Sequence, residues 1–134
     1  MLGDTDAPRQ TGGMGFTMKR VYDEAEASDG YRVLVDRLWP RGVSKERADL
    51  DLWLKEIAPS ADLRKEWHHN PDRHDDFVAR YVAELDSNPV TADLLALGGE
   101  HDRITLLYSS HNPSVNHVAV MLEWLREHGA SVDS

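Results

Sequence analysis

Short apolar runs that alternate with helical periodicities predict a small single α/β domain with a largely parallel sheet flanked by helices. Val33-Leu34-Val35 is apolar without alternation, the pattern of a strand covered on both faces, and "RITLLYS", Arg103 to Ser109, reads as another strand. Between and after them, apolar residues recur at three- and four-residue spacing in segments bounded by Pro, Asn and Gly. A chain of 134 residues supplies one core, and no linker divides it.

The elements follow in order. Residues 1–15, "MLGDTDAPRQTGGMG", are polar, Gly-rich and aperiodic, and read as a disordered N-terminal tail ahead of a single domain over 16–129. Phe16 to Tyr22 reads as a first strand, Asp23 to Gly30 as a polar turn region, and Tyr31 to Asp36 as a second strand. Ser44 is an N-cap for a helical turn to Ala48. The apolar residues from Leu50 to Ile57 fit a strand, a helix or both in succession, ended by Pro59. Ser60 caps a short helix with Leu63 and Trp67 on one face. Asn70-Pro71 opens a longer helix to about Asp86, its stripe being Phe77, Val78, Tyr81, Val82 and Leu85. Pro89 to Gly98 is a further short helix, and Arg103 to Ser109 the clearest strand. The last helix spans Ser114 to His128, with Gly129 as its C-cap, and 130–134 reads as a loose tail.

Composition narrows the function classes. A net charge of −9 and a pI near 5.1 argue against a general nucleic-acid binder and against an anionic membrane surface. The absence of cysteine excludes disulfides, thiolate metal sites and a cysteine nucleophile. No apolar run approaches a membrane span and no signal-peptide pattern opens the chain, so a cytoplasmic protein is expected. No motif names a cofactor or an oligomeric state.

Within this acidic chain, "DRLWPRG" places two arginines around a stiff turn. Pro40 fixes its own φ and biases Trp39 toward extended backbone, and Gly42 is free to take a positive φ. Arg37 and Arg41 are therefore candidate anion ligands, since a guanidinium matches phosphate or carboxylate with paired donors. The structural alternative is that both form internal ion pairs, and Trp39 reads as a core plug as well as a ligand contact. Ser109, Ser110, His111 and Asn112 lie between a strand and a helix start, an arrangement suited both to anion binding and to plain helix capping. His117 is a candidate acid or base, and Asn116 a candidate orienting group. In open α/β sheets ligands bind beyond the carboxyl ends of the strands. The loops 36–42 and 109–116 both leave strands at such ends, so they are expected to meet. His68, His69 and His74 lack the spacing and the third ligand of a metal site, and no metal is assigned.

The segments "YRVLVDRLWPRGVSKE", "DLWLKEIAPSADLRKEW", "FVARYVAEL" and "ITLLYSSHNPSVNHVAVML" resemble the short bacterial members of the domain of unknown function 488 family. The resemblance runs from about Met18 to Leu125. It implies a compact α/β domain of unestablished activity, and it singles out Asp36, Arg37, Trp39, Pro40, Arg41, Gly42, Pro59, Ser60, Arg64, Tyr81 and Asn116. Ser110 and His111 depart from the family pattern, which weakens a catalytic role for them. Together these residues lead us to expect binding of an anionic, phosphate-bearing small molecule, with enzyme activity left open. The alternative is a non-enzymatic interaction module that docks an acidic partner through the Arg-Leu-Trp-Pro-Arg loop.

Overall fold

The computed structural model describes the backbone of residues 15–69, 74–109 and 117–133, and their side chains except at 67–69 and 74. Four strands form one all-parallel sheet: β1 (Gly15–Arg20), β2 (Tyr31–Leu34), β3 (Leu52–Trp53) and β4 (Arg103–Tyr108), in the order β1-β4-β2-β3. The most apolar strand, β4, takes an inner position, and residues 104–107 of it are at most 1% exposed. The short β3 closes one edge. The helices are α1 (Lys45–Ala48), α2 (Ala61–His69), α3 (His74–Ser87), α4 (Pro89–Leu97) and α5 (His117–Glu127).

Alternate strand residues serve two unequal faces. Phe16, Val33, Val35, Ile104, Leu106 and Tyr108 join the main core with Leu63, Phe77, Tyr81, Leu85, Leu94 and the apolar side of α5. Leu34 and Leu107 point to the other face, where Val21, Val43, Ala48, Trp39 and Trp53 cover them. A sheet covered on both sides explains why its inner strands carry apolar residues at consecutive positions. Among the described residues no helix is long and apolar enough to cross a membrane.

Several local expectations meet their physical causes. Ser44 Oγ accepts from Arg47 N at 3.0 Å, and Ser60 Oγ from Leu63 N at 3.2 Å, as N-caps do. After α5, Gly129 N bonds to Arg126 O and Ala130 N to Leu125 O, the paired C-terminal bonds that a glycine with φ 96° permits. The ambiguous stretch from Leu50 to Ile57 is two elements in succession, β3 and a 3₁₀ turn at Lys55–Ile57. The expected opening of α3 at Asn70-Pro71, and that of α5 at Ser114, lie outside the described residues.

β1 and β2 end at Arg20 and Leu34, two residues short of the expected strands, and both ends of the domain differ from those expected. Gly15 belongs to β1 rather than to the tail, because its N–H bonds to Asp102 O at 2.6 Å in register with β4; residues 1–14 lie outside the described residues. The segment expected as a loose tail runs beside β1: Phe16 N donates to Ser131 O, Asp133 N to Phe16 O, and Arg103 pairs with Asp133 at 3.0 Å. An exposed sheet edge offers unpaired backbone groups, and residues 131–133 satisfy them.

The second face also buries charge. The Asp29 carboxylate accepts from Lys19 Nζ at 3.1 and 3.2 Å, from Glu26 N at 3.0 Å, and from Arg32. Arg32, only 3% exposed, turns its remaining donors to Ala48 O and Asp49 O at the end of α1. Thr105 Oγ1 donates to Asp29 O at 2.6 Å. Burial alone would raise the Asp29 pKa, but the Glu26 amide, Lys19 and Arg32 together hold it below its ordinary value. The cluster ties the 21–30 connection, β4 and α1 into one unit.

Candidate functional site

The site grows from the register of the inner strands. Leu34 pairs with Leu107 and Val35 N bonds to Leu107 O, so the chains leaving β2 and β4 run side by side at the carboxyl edge. Asp36 and Ser109 are the first residues to emerge. Asp36 Oδ2 accepts from Ser109 N at 2.9 Å and from Ser109 Oγ at 2.8 Å, which fastens one loop to the other. The two loops thus meet at this edge through Asp36 and Ser109; Ser110, His111 and Asn116 lie outside the described residues.

His117, the first residue of α5, closes the same corner. Its Nε2 lies 3.0 Å from Val35 O and 3.5 Å from Asp36 Oδ1. A carbonyl oxygen only accepts, so Nε2 carries the hydrogen and Nδ1 is left with its lone pair. Burial lowers the His117 pKa, and Arg64 lowers it further, against the opposing pull of Asp36 and the Val35 carbonyl; the ring is neutral at pH 7. The Tyr81 ring stands edge-on to His117, with centroids 6.2 Å apart, and its hydroxyl donates to Ile57 O at 2.6 Å. Burial raises the Tyr81 phenol well above its usual value, so it stays protonated.

The arginines part company. Arg37 Nη2 donates to Ala58 O at 3.1 Å and Pro59 O at 3.3 Å, and its Nε is buried with no partner among the described residues. Arg41 is exposed, and its carbonyl accepts from Tyr22 OH at 3.0 Å. Gly42, with φ 78°, turns the chain just after Arg41. Trp39 sits in the second core, edge-on to Trp53 at 5.4 Å, with Nε1 donating to Val43 O at 2.7 Å. Trp53 Nε1 in turn donates to Asp36 O at 2.8 Å, so both tryptophans hold the loop from beneath.

Two residues that periodicity alone passed over complete the edge. Glu84 of α3 accepts from Ser60 N at 2.9 Å and from Ser60 Oγ at 2.6 Å. Arg64, one turn into α2, is half-buried beside His117 and makes no ion pair among the described residues. Glu84 sits three residues after Tyr81, one helical turn on, and within the segment "FVARYVAEL" that carries the family resemblance; that spacing and that segment are the signals that could have marked it.

Both carboxylates of the site are thus occupied by serine donors and by His117, while Arg37 and Arg64 keep no carboxylate partner among the described residues. Ser109 donates its hydroxyl to Asp36, which leaves it unpaired with an imidazole base. No three His, Asp or Glu side chains are grouped for a metal ion among the described residues. A cavity of about 360 Å³ lies at the opposite, amino edge, beside Phe16, Leu95, His101 and His128. Its imidazoles stack on Tyr31 and Trp124, at 4.0 and 3.7 Å, as packing groups.

The chain is similar to proteins that share this whole unit. It is 48% identical over 113 residues to "Uncharacterized protein YeaO" of Escherichia coli (strain K12), covering 84% of this chain and 98% of that protein. It is 39% identical over 106 residues to "Uncharacterized protein Rv3073c" of Mycobacterium tuberculosis (strain ATCC 25618 / H37Rv), covering 79% of this chain and 89% of that protein. No solved structure matches it. The family model described as the inactive DUF488-N3 subclade matches residues 15–134, from the first residue of β1 to the end of the chain, and the protein belongs to that subclade of the domain of unknown function 488 family.

Proposed function

We propose that the protein binds an anionic, phosphate-bearing small molecule at the carboxyl edge of its sheet and does not transform it. The observation that carries this reading is the division of partners: Asp36 and Glu84 accept from Ser109 and Ser60, and Arg37 and Arg64 form no ion pair among the described residues. A guanidinium whose Nη2 is fixed by two backbone carbonyls is held in one orientation, which lowers the entropy cost of binding an anion through its remaining donors. Ser109 and His117 are not arranged as nucleophile and base, which supports binding over catalysis. The description of the matching subclade as inactive agrees.

The test is calorimetric titration of phosphorylated metabolites and pyrophosphate into the wild-type protein and into Arg37→Lys, Arg64→Lys and Arg41→Lys. Keeping the charge but losing the fork should weaken binding by about 1–3 kcal/mol at Arg37 and Arg64. Arg41, exposed and outside the ring of Asp36, Tyr81 and His117, should matter less. Equal affinity in all four proteins would remove the basis for the site.

A second reading has its own observation. Leu38, at the tip of the Arg-Leu-Trp-Pro-Arg loop, is 67% exposed and is the exposed large hydrophobic residue among those described. It lies beside the exposed Arg41, and an acidic partner with an apolar anchor fits that tip. Leu38→Ser would weaken such a partner and leave phosphate binding intact.

A further inference from the structure

We propose that the Arg-Leu-Trp-Pro-Arg loop and the start of α1 form one docking surface, and that its partner is a short acidic protein segment with a single large apolar anchor. This rests on the second reading above and adds the extent of the surface and the class of partner.

The backbone of this surface is held from several sides. Val43 N bonds to Pro40 O at 3.4 Å and closes a turn over Arg41 and Gly42, in which Gly42 takes the positive φ that a type II turn needs. Trp39 Nε1 donates to Val43 O at 2.7 Å, and Tyr22 OH to the Arg41 carbonyl at 3.0 Å. Arg47 Nη2 donates to Tyr22 O at 2.7 Å, which fastens α1 to the same point. None of these bonds uses the side chains of Leu38, Arg41 or Lys45. Leu38 is 67% exposed; Arg41 and Lys45 are exposed too, and their cationic groups pair with no acid among the described residues. A backbone already ordered in this way lowers the cost of binding, because only side chains remain to be fixed.

Charge decides the class of partner. Residues 37–47 hold four cations and one acid, whereas the rest of the chain holds eleven cations and twenty-three acids. The segment is a local positive patch on an acidic molecule, and it complements an acidic group at contact range. A nucleic acid or an anionic bilayer extends well beyond the screening length of about 10 Å, so it meets the acidic surroundings as well as the patch. A short acidic segment meets the patch alone. Leu38 gains from an apolar residue opposite it, which a phosphate backbone lacks. From Leu38 to Lys45 the chain spans at most about 25 Å, so about eight residues of extended peptide cover the surface.

The experiment pans a displayed library of random peptides, each of about twelve residues, against the full chain, and titrates the enriched peptide by fluorescence anisotropy. Enriched peptides should carry Asp or Glu beside one large apolar residue. Affinity should fall by about tenfold or more in Leu38→Ser and Arg41→Glu, and by about threefold or more in Lys45→Glu. Lys65→Glu, which changes the net charge equally but lies on α2, should keep affinity within about twofold. All four side chains are exposed, so the variants keep the fold, which circular dichroism checks. A peptide that depends on Leu38 and Arg41 but not on Lys45 would overturn the extension to α1 and leave the second reading standing. No enrichment, or enriched peptides without acids, would remove both. Equal losses in Lys45→Glu and Lys65→Glu would reduce the effect to net charge and overturn the surface. Displacement of the peptide by a short oligothymidylate would assign the surface to nucleic acid instead, and a Leu38-dependent dimer in sedimentation would assign it to a second copy of this chain.

Discussion

Arg37 and Arg41 are four residues apart and chemically identical, yet their surroundings assign them different work. Arg37 is half-buried and spends one nitrogen on two backbone carbonyls after the 3₁₀ turn. Arg41 is exposed and pairs with no acid among the described residues. Among the described residues neither forms the internal ion pair that would have made the motif purely structural. Urea unfolding of the ligand-free protein should therefore separate them. Arg41→Ala should change stability by no more than about 0.5 kcal/mol, as surface substitutions do. Arg37→Ala should cost about 1.5–3 kcal/mol, the scale of hydrogen bonds made by a charged group. A strongly destabilised Arg41→Ala would show that its guanidinium has a structural partner. At the same scale, Trp39 is explained by packing: its ring fills the second core and its N–H finds Val43 O, so an aromatic in a loop motif serves here as a plug.

At the scale of elements, the short 21–30 connection has to return the chain from the carboxyl end of β1 to the amino end of β2 across the intervening β4. Gly30 makes the entry to β2 with φ 66° and ψ −130°, and a Cβ there would stand 2.4 Å from Arg103 O. Both the backbone region and the approach to β4 demand glycine. Gly30→Ala should destabilise the protein by at least about 2 kcal/mol, read as a lower urea midpoint with an unchanged denaturant slope. An unchanged midpoint would mean that this crossing can relax without loss. The turn Asp29-Gly30 is legible in the sequence; the reason for it, a strand passing within contact distance, is not. Likewise the caps at Ser44, Ser60 and Gly129 follow from residue type and position, because their bonds close within one turn of the chain.

At the scale of the whole molecule, His117 and Asp29 lie on opposite faces of one sheet, and their lowered pKa values give its stability a stepped response to acid. His117 has a lowered pKa in the folded state, so the unfolded chain binds its proton first. Its contribution is complete above the unfolded value of about 6.5 and is lost as pH falls from there through the folded pKa. Asp29 also has a lowered pKa; its contribution is complete above the unfolded value of about 3.9 and is lost as pH falls through the folded pKa. Urea unfolding between pH 8 and pH 3 should thus show a first decline beginning near pH 6.5 that is reduced in His117→Asn, and a second below about pH 4. Asp29→Asn should cost about 3–5 kcal/mol at pH 7, since Arg32 and Lys19 lose their shared counter-charge, and should flatten the second decline. A His117→Asn protein with the full first decline would place its origin in another histidine.

The apolar runs, the helical spacings and the capping residues by themselves determined the kinds of element, the covered parallel sheet and the fact that two loops leave it at one edge. These are short-range properties, written within a turn of helix or a few residues of strand. The tertiary structure alone decided which donors the acids would take. Arg32 interrupts an apolar strand with no local sign of its partner, because Asp29, Lys19 and the end of α1 reach it only after the sheet has formed. Ser60 and Glu84 are 24 residues apart, and Asp36 and Ser109 are 73 apart, yet each pair lies within 2.6–2.9 Å. Whether a guanidinium is left for a ligand depends on such distances, and strand register and helix packing set them.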